Sequence, residues 1–251
     1  MNSLYDMPLI YADGADEKGI LQAAKNPMIM GFTTNPSLMR QAGVTDYMAF
    51  CNRIIPQLKE LRPDTNISLE VFSDNHAEMI TQAYKLHDLS IQYDYPVYVK
   101  IPCVDTNGVT TDAVVSTLTK AGVKVNVTAI FTQEQFYRAF WSLKNTTGGI
   151  ISVFAGRMKD AGVDASETIN NWLIGNINEW EIPVYDNVLV LWASTREVYN
   201  VIEASECYCD IITMTPDLIK KLPLFGKNLE EYSVETVKMF YNDALASGYT
   251  I

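Results

Sequence analysis

The sequence predicts an α/β chain closed into a (β/α)8 TIM barrel, one domain over residues 1–251 with an additional C-terminal helix at about 233–246. Three observations predict it. Short apolar runs of β character alternate with amphipathic helical stretches from end to end. About eight such units fit within 251 residues, which is the repeat of that barrel. The rival, a doubly wound open sheet, lacks its usual marks: no Gly-x-Gly-x-x-Gly follows the first strand, and no phosphate loop ending in Gly-Lys-Ser/Thr occurs.

The elements follow in order. Residues 9–12 are apolar and stop at Asp13, and 17–24 is a short helix. Residues 28–32 form a second strand that runs into Thr33-Thr34-Asn35-Pro36, where the proline suits the first turn of a helix. The stretch 45–61 sets Phe50, Ile54, Leu58 and Leu61 on one helical face, with Pro56 as a candidate kink. A strand at 67–71, a helix at 76–89 and a fourth strand at 97–101, between Pro96 and Pro102, come next. The second half continues with a helix at 109–121, a strand at 125–129, a helix at 133–143 and, after Gly148-Gly149, a sixth strand at 150–154. Helix 166–180, strand 188–192, helix 195–204, strand 211–214 and helix 216–222 complete the pattern. In the last helix Val234, Val237, Phe240, Tyr241 and Leu245 make an apolar stripe, expected to pack within the chain's own core, the alternative being a neighbouring subunit.

Composition narrows the function. Apolar residues make up 48% and charged residues 20%, as in folded globular chains and unlike disordered ones. A formal net charge of −11 argues against nucleic acid or an anionic membrane as partner, since both select basic surfaces. Four cysteines, Cys51, Cys103, Cys207 and Cys209, are too few for a disulfide scaffold, match no zinc spacing and read as reduced, buried thiols. In a strand, Cys207 and Cys209 would face the same way. His76 and His87 fall on one helix and read as solvated or core-edge side chains, so no metal site is expected. The N-terminus shows no basic region followed by an apolar run, and no stretch reaches membrane-span length, so a cytoplasmic location is the expectation.

A barrel of this kind places chemistry at the C-terminal ends of its strands. Those positions carry Asp13, Thr33, Asn35, Glu70, Lys100, Asn126, Thr128, Ser152, Arg157, Ser194 and Arg196, more polar groups than capping requires. Lys100 interrupts the apolar run Val97-Tyr98-Val99-Lys100-Ile101. A lysine lining a closed barrel is costly unless paired or neutral, and a neutral amine is the nucleophile of Schiff-base chemistry; the alternative is a strand-edge lysine reaching water. Asp13 and Glu70 are candidate acid–base carboxylates, or else caps and ion-pair partners. Arg157 and Arg196 follow the sixth and seventh strands, near the usual phosphate corner, and read as a dianion site or as ordinary surface arginines.

In the motifs Gly31-Phe32-Thr33-Thr34-Asn35-Pro36-Ser37-Leu38, Ser68-Leu69-Glu70-Val71, Val99-Lys100-Ile101-Pro102, Asn126-Val127-Thr128, Ser152-Val153-Phe154-Ala155-Gly156-Arg157 and Ala193-Ser194-Thr195-Arg196, the sequence resembles the transaldolase family of class I aldolases. The resemblance implies a reaction. Lys100 attacks the C2 carbonyl of a ketose donor, Glu70 and Thr128 relay protons through a water, and Asp13 takes the C4 hydroxyl proton as the C3–C4 bond breaks. Thr33, Asn35, Asn126 and Ser152 hold the retained dihydroxyacetone unit, Phe154 walls the site, and Arg157, Ser194 and Arg196 hold the phosphate. It implies no cofactor, sugar phosphate substrates such as sedoheptulose 7-phosphate or fructose 6-phosphate, and a homo-oligomer, in the pentose phosphate pathway of carbohydrate metabolism. Glu70 and Phe154 are similar to the pair in transaldolases proper, whereas fructose-6-phosphate aldolase-like members carry Gln and Tyr. The alternatives are that aldolase activity, a specialised sugar or sulfosugar substrate, and, outside enzymes, a barrel that only binds a phosphosugar.

Overall fold

Eight parallel strands close on themselves in chain order: β1 (Leu9–Asp13), β2 (Ile29–Thr33), β3 (Ile67–Glu70), β4 (Val97–Pro102), β5 (Val125–Ile130), β6 (Gly149–Val153), β7 (Val188–Trp192) and β8 (Ile211–Met214). The computed structural model describes residues 7–144, 146–174 and 187–250. The chain is a (β/α)8 barrel with a further C-terminal helix. It divides into two compact units, Met1–Ile219, which holds the whole barrel, and Lys220–Ile251.

Strand periodicity builds the interior. Successive side chains on a strand face opposite ways, so positions two apart share a face. Tyr11, Ile150, Leu191 and Ile211 form an apolar layer with Tyr98 packed against it. Two residues further along β1, β6, β8 and β4 come Asp13, Ser152, Thr213 and Lys100, while past β7 Ala193 stays with the apolar cluster. The alternation that fills the barrel floor with hydrocarbon therefore delivers polar groups to its C-terminal mouth. Tyr11 fits because its β2 partner is Gly31, where a Cβ would lie 2.5 Å from the tyrosine ring.

Helices cover the outside: α1 (Glu17–Ala24), α2 (Pro36–Gln41), α3 (Tyr47–Leu61), α4 (His76–Tyr93), α5 (Asp112–Lys120), α6 (Gln133–Leu143), α7 (Ala155–Asp160), α8 (Ala165–Ile174), α9 (Asn200–Glu206) and α10 (Pro216–Ile219). Side chains of Asp16, Asn35, Asp46, Asn75 and Thr132 accept first-turn N–H groups that would otherwise lack partners. Their apolar faces are buried, as in α3 with Phe50, Ile54, Ile55 and Leu58 and in α4 with Met79, Ala83, Leu86 and Leu89. Pro56 is inside α3. Among the described residues no helix is long and apolar enough to cross a membrane.

Several expected boundaries move. The helix expected at 109–121 starts at Asp112, because Val104 and Thr110 first pair in an antiparallel bridge. The one expected at 195–204 starts at Asn200, because the Asn200 side chain takes the N–H groups of Arg196 and Glu197 and holds a turn there. Of the helix expected at 166–180, α8 ends at Ile174 and residues 175–180 lie outside the described residues. The stretch 216–222 is divided between α10 and a short 3₁₀ turn, Leu222–Leu224. Cys207 and Cys209 sit beyond α9 rather than in a strand; their sulfurs are 3.6 Å apart, and all four cysteines are free and buried. In the second unit α11 (Leu229–Ser247) starts earlier than expected, capped by Asn228. Within that unit it buries none of its residues, and Val234, Val237, Phe240, Tyr241 and Leu245, expected as core, are exposed there.

Candidate active site

The C-terminal mouth of the barrel opens into a cavity of about 520 Å³. Lys100 reaches it from β4. Only 6% exposed, it donates from Nζ to the Thr34 carbonyl at 3.0 Å and lies 3.2 Å from Glu70 Oε2. Register explains the pair: Glu70 and Lys100 are direct partners in the β3–β4 ladder and so point to the same side. A buried amine thus has one carboxylate and one carbonyl as partners, the condition under which a lysine is tolerated away from water.

Asp13 faces the same space from β1. The residue as a whole is partly exposed, but its carboxyl is enclosed, and burial raises its pKa from the usual aspartate value. The positive charge of Lys100 and a hydrogen bond from Thr33 act the other way without cancelling that effect. The Thr33 hydroxyl donates to Asp13 Oδ1 at 2.7 Å, again between ladder partners, here of β1 and β2. Asn35 lines the cavity, but its Oδ1 is committed to the Leu38 N–H as the cap of α2.

Opposite, β5 ends in a register shift, with Ala129 in a left-handed conformation, φ 61°. Thr128 is buried beside it, and its hydroxyl has no hydrogen-bond partner among the described residues, an arrangement that suits a water or a substrate oxygen. Asn126 is the expected site residue that does not line the cavity. Fully buried, it donates to the Ser68 hydroxyl at 3.2 Å and accepts from the Ser152 hydroxyl at 2.7 Å, so it acts on the cavity through Ser152.

The rim carries the positive charge. Phe154 follows β6, packs 5.5 Å from the Phe131 ring and lies under the Arg157 guanidinium at 5.5 Å. Arg157 and Arg196 are exposed, and Arg196 is held by Asp160, Nη2 to Oδ2 at 2.5 Å. Ser194 adopts φ 63°, and its carbonyl passes so close to Gly156 that a Cβ there would lie 1.6 Å away. Glycine is what lets the start of α7 and the end of β7 bring two arginines to one rim.

The structure therefore gathers Asp13, Thr33, Asn35, Glu70, Lys100, Thr128, Ser152, Phe154, Arg157, Ser194 and Arg196 around one cavity. Sequence reasoning missed Ser68, Thr195 and Thr213. Ser68 was visible as a hydroxyl two residues before Glu70, on the same face of its strand.

A buried amine, two carboxylates and a cationic rim thus meet at the mouth of a (β/α)8 barrel. Residues 10–249 match the model of the Transaldolase/Fructose-6-phosphate aldolase family, and the chain belongs to that family. A probable transaldolase of Caulobacter sp. (strain K31) is 30% identical over 89% of this chain and 94% of its own. Another, from Dehalococcoides mccartyi, is 28% identical over 82% and 85%. Among solved structures, thiamine phosphate pyrophosphorylase from Pyrococcus furiosus superposes with a TM-score of 0.51 at 11% identity, over 84% of this chain and 86% of that one. N-acetylneuraminate lyase from Mycoplasma synoviae does so with 0.50 at 10%, over 97% and 83%. These two share the fold alone.

Proposed function

We propose that the protein is a transaldolase working through a Schiff base on Lys100, moving a dihydroxyacetone unit from a ketose phosphate such as fructose 6-phosphate or sedoheptulose 7-phosphate to an aldose phosphate. The observation that carries this reading is the Lys100 amine, enclosed 3.2 Å from Glu70 in the cavity that also holds Asp13. Uncharged, the amine attacks the ketose C2 carbonyl. Glu70, with the unpartnered Thr128 hydroxyl on the other strand next to that of Lys100, supplies and removes the protons that turn the carbinolamine into an imine and water. The iminium is then the electron sink. As the C3–C4 bond breaks, its electron pair moves into the imine to form the enamine, and Asp13 takes the C4 hydroxyl proton as the aldose forms.

Asp13 suits that step, because a carboxylate with a raised pKa is a stronger base than one in water. The acceptor aldehyde takes the reverse path, and hydrolysis frees the amine. Ser152 and Asn35 are placed for the retained hydroxyls, and Arg157 with Arg196 for the phosphate. Phe154 brings no acid–base hydroxyl to the wall, which favours transfer from a retained enamine over release of free dihydroxyacetone. The same reading includes a cytoplasmic location and a homo-oligomer, the latter supported by the exposed apolar side chains of α11.

Borohydride reduction in the presence of fructose 6-phosphate tests the proposal. A dihydroxyacetone-sized mass increase on Lys100, absent in Lys100→Ala, is expected. Dihydroxyacetone should reach an added aldose phosphate rather than solution. No adduct at saturating donor overturns the Schiff-base reading; release of free dihydroxyacetone at the rate of transfer favours the aldolase instead.

A further inference from the structure

Asp13 does not meet the Thr33 hydroxyl alone. On the far side of β1, Thr213 of β8 brings its own hydroxyl to 2.5 Å from Thr33 Oγ1. Inward side chains of alternate barrel strands share layers, so hydroxyls from β2 and β8 meet over β1 although 180 residues separate them. Both threonines are buried, at 3% and 5% exposure, and both line the cavity. Thr213 is also fixed from behind, since the Thr195 hydroxyl donates to its carbonyl at 2.7 Å.

A hydroxyl has one proton to give. Thr33 gives its proton to Asp13, so its contact with Thr213 must be one in which Thr213 donates. We propose that Thr213 is a positioning residue for the aldol cleavage step: through Thr33 it fixes the direction of the hydrogen bonds that end on Asp13. The inference rests on the proposed role of Asp13 as the base.

With Asp13 ionised, the chain runs Thr213 to Thr33 to Asp13, each bond polarising the next. When Asp13 takes the C4 hydroxyl proton, the carboxylic acid becomes the donor and the chain reverses. Thr33 then donates to Thr213, and the Thr213 proton turns to the cavity. No proton is created or lost: three protons serve three oxygens, where two served before. Asp13 can thus accept a proton from the substrate and return it while the Thr33 hydroxyl keeps both of its partners at either stage. The charged side chain facing Asp13 is Lys100, with Glu70 beside it; neither bonds to the two threonines among the described residues.

Thr213→Val removes the hydroxyl at nearly constant shape, and Thr213→Ser restores it. Losing the donor behind Thr33 weakens the bond that Thr33 makes to the charged carboxylate, which makes Asp13 harder to ionise. Thr213→Val should therefore lower kcat by about tenfold, the value of one buried hydrogen bond, and move the acid limb of the kcat profile up by about half to one pH unit. KM for fructose 6-phosphate and the rate at which borohydride traps the intact-ketose imine on Lys100 should stay within about twofold, because imine formation, unlike the cleavage that leaves the dihydroxyacetone-sized adduct, does not use Asp13. Thr213→Ser should recover both kcat and the limb. If Thr213→Val fails to fold, Thr213→Ala makes the same comparison. A wild-type kcat profile in the valine or alanine variant overturns the proposal. So does a loss that Thr213→Ser shares, which would mark a packing role. Absence of trapping in the wild type would instead sink the Schiff-base reading itself, so the two failures are distinguishable.

Discussion

Lys100 and Glu70 are ladder partners on neighbouring strands, and their side chains meet Nζ to Oε2 at 3.2 Å, both largely out of water. Such a pair is a poor source of stability, but removing one member leaves the other costly to bury. Glu70→Ala and Lys100→Met should each lower stability, and the double variant should lose less than their sum. A double-mutant cycle by urea denaturation should give a coupling of about 0.5–3 kcal/mol. Strict additivity would mean that the two groups are solvated independently. Borohydride trapping should vanish in Lys100→Met and slow, without vanishing, in Glu70→Ala.

Asp13 gives a pH dependence with a definite sign. Burial raises its pKa, against the pull of Lys100 and the Thr33 hydrogen bond. As the proposed base it must be ionised, so kcat should fall with acidification at a pH above the ordinary carboxylate value of about 3.9. Asp13→Asn should cost roughly 10²–10⁴-fold in kcat, abolish that acid limb and still permit imine trapping. Stability runs the other way. The folded state holds the proton more tightly than the unfolded one, so the carboxyl's stabilising contribution is complete below the unfolded pKa and lost as pH rises through the folded one. Above the folded pKa the wild type bears the whole penalty, and there Asp13→Asn should melt higher. The gap should close as pH falls, which thermal melts at a series of pH values would check.

Much of this was legible in the residues. The alternation of β and helical stretches carries the barrel, and a lysine set in Val97-Tyr98-Val99-Lys100-Ile101 is conspicuous because nothing else in that run is polar. What local pattern cannot convey is contact made by closure. Thr213 looks like an ordinary strand hydroxyl until the barrel brings it to Thr33. Asn126 looks like a cavity residue by parity, yet it lies beneath, tied to Ser68 and Ser152. The turn at 194–199 carries no glycine to announce the positive φ of Ser194, so the helix expected there starts late. The stripe on α11 has helical spacing, but spacing does not say whether anything covers it.

The two rim arginines should not contribute equally. Arg196 shares its guanidinium with Asp160, whereas Arg157 lies over the Phe154 ring. Arg157→Ala should raise KM for phosphorylated donors about 10- to 100-fold, the scale of a lost charge-assisted hydrogen bond pair, and leave unphosphorylated ketoses within a few-fold. Arg196→Ala should cost less, because part of its charge is already offset. Steady-state kinetics with matched phosphorylated and free ketoses decide the order. Equal losses on both donors would argue that Arg157 shapes the wall rather than binding the anion.

Gly156 provides the strictest test of how the rim is built. Its N–H donates to the Ala193 carbonyl at 3.3 Å, and a Cβ at this position would lie 1.6 Å from the Ser194 carbonyl oxygen. The obstacle is backbone, so no rotamer change relieves it. Gly156→Ala must push the start of α7 away from the end of β7, and Arg157, the next residue, moves with it. Overpacking of this kind costs about 1–3 kcal/mol, which should appear as a lower melting temperature. The kinetic consequence should be specific as well. KM for phosphorylated donors should rise nearly as far as in Arg157→Ala, while Lys100, two strands away on β4, should still be trapped by an unphosphorylated ketose. If the alanine variant keeps wild-type KM for the phosphorylated donor, the close approach of these two backbones does not position Arg157.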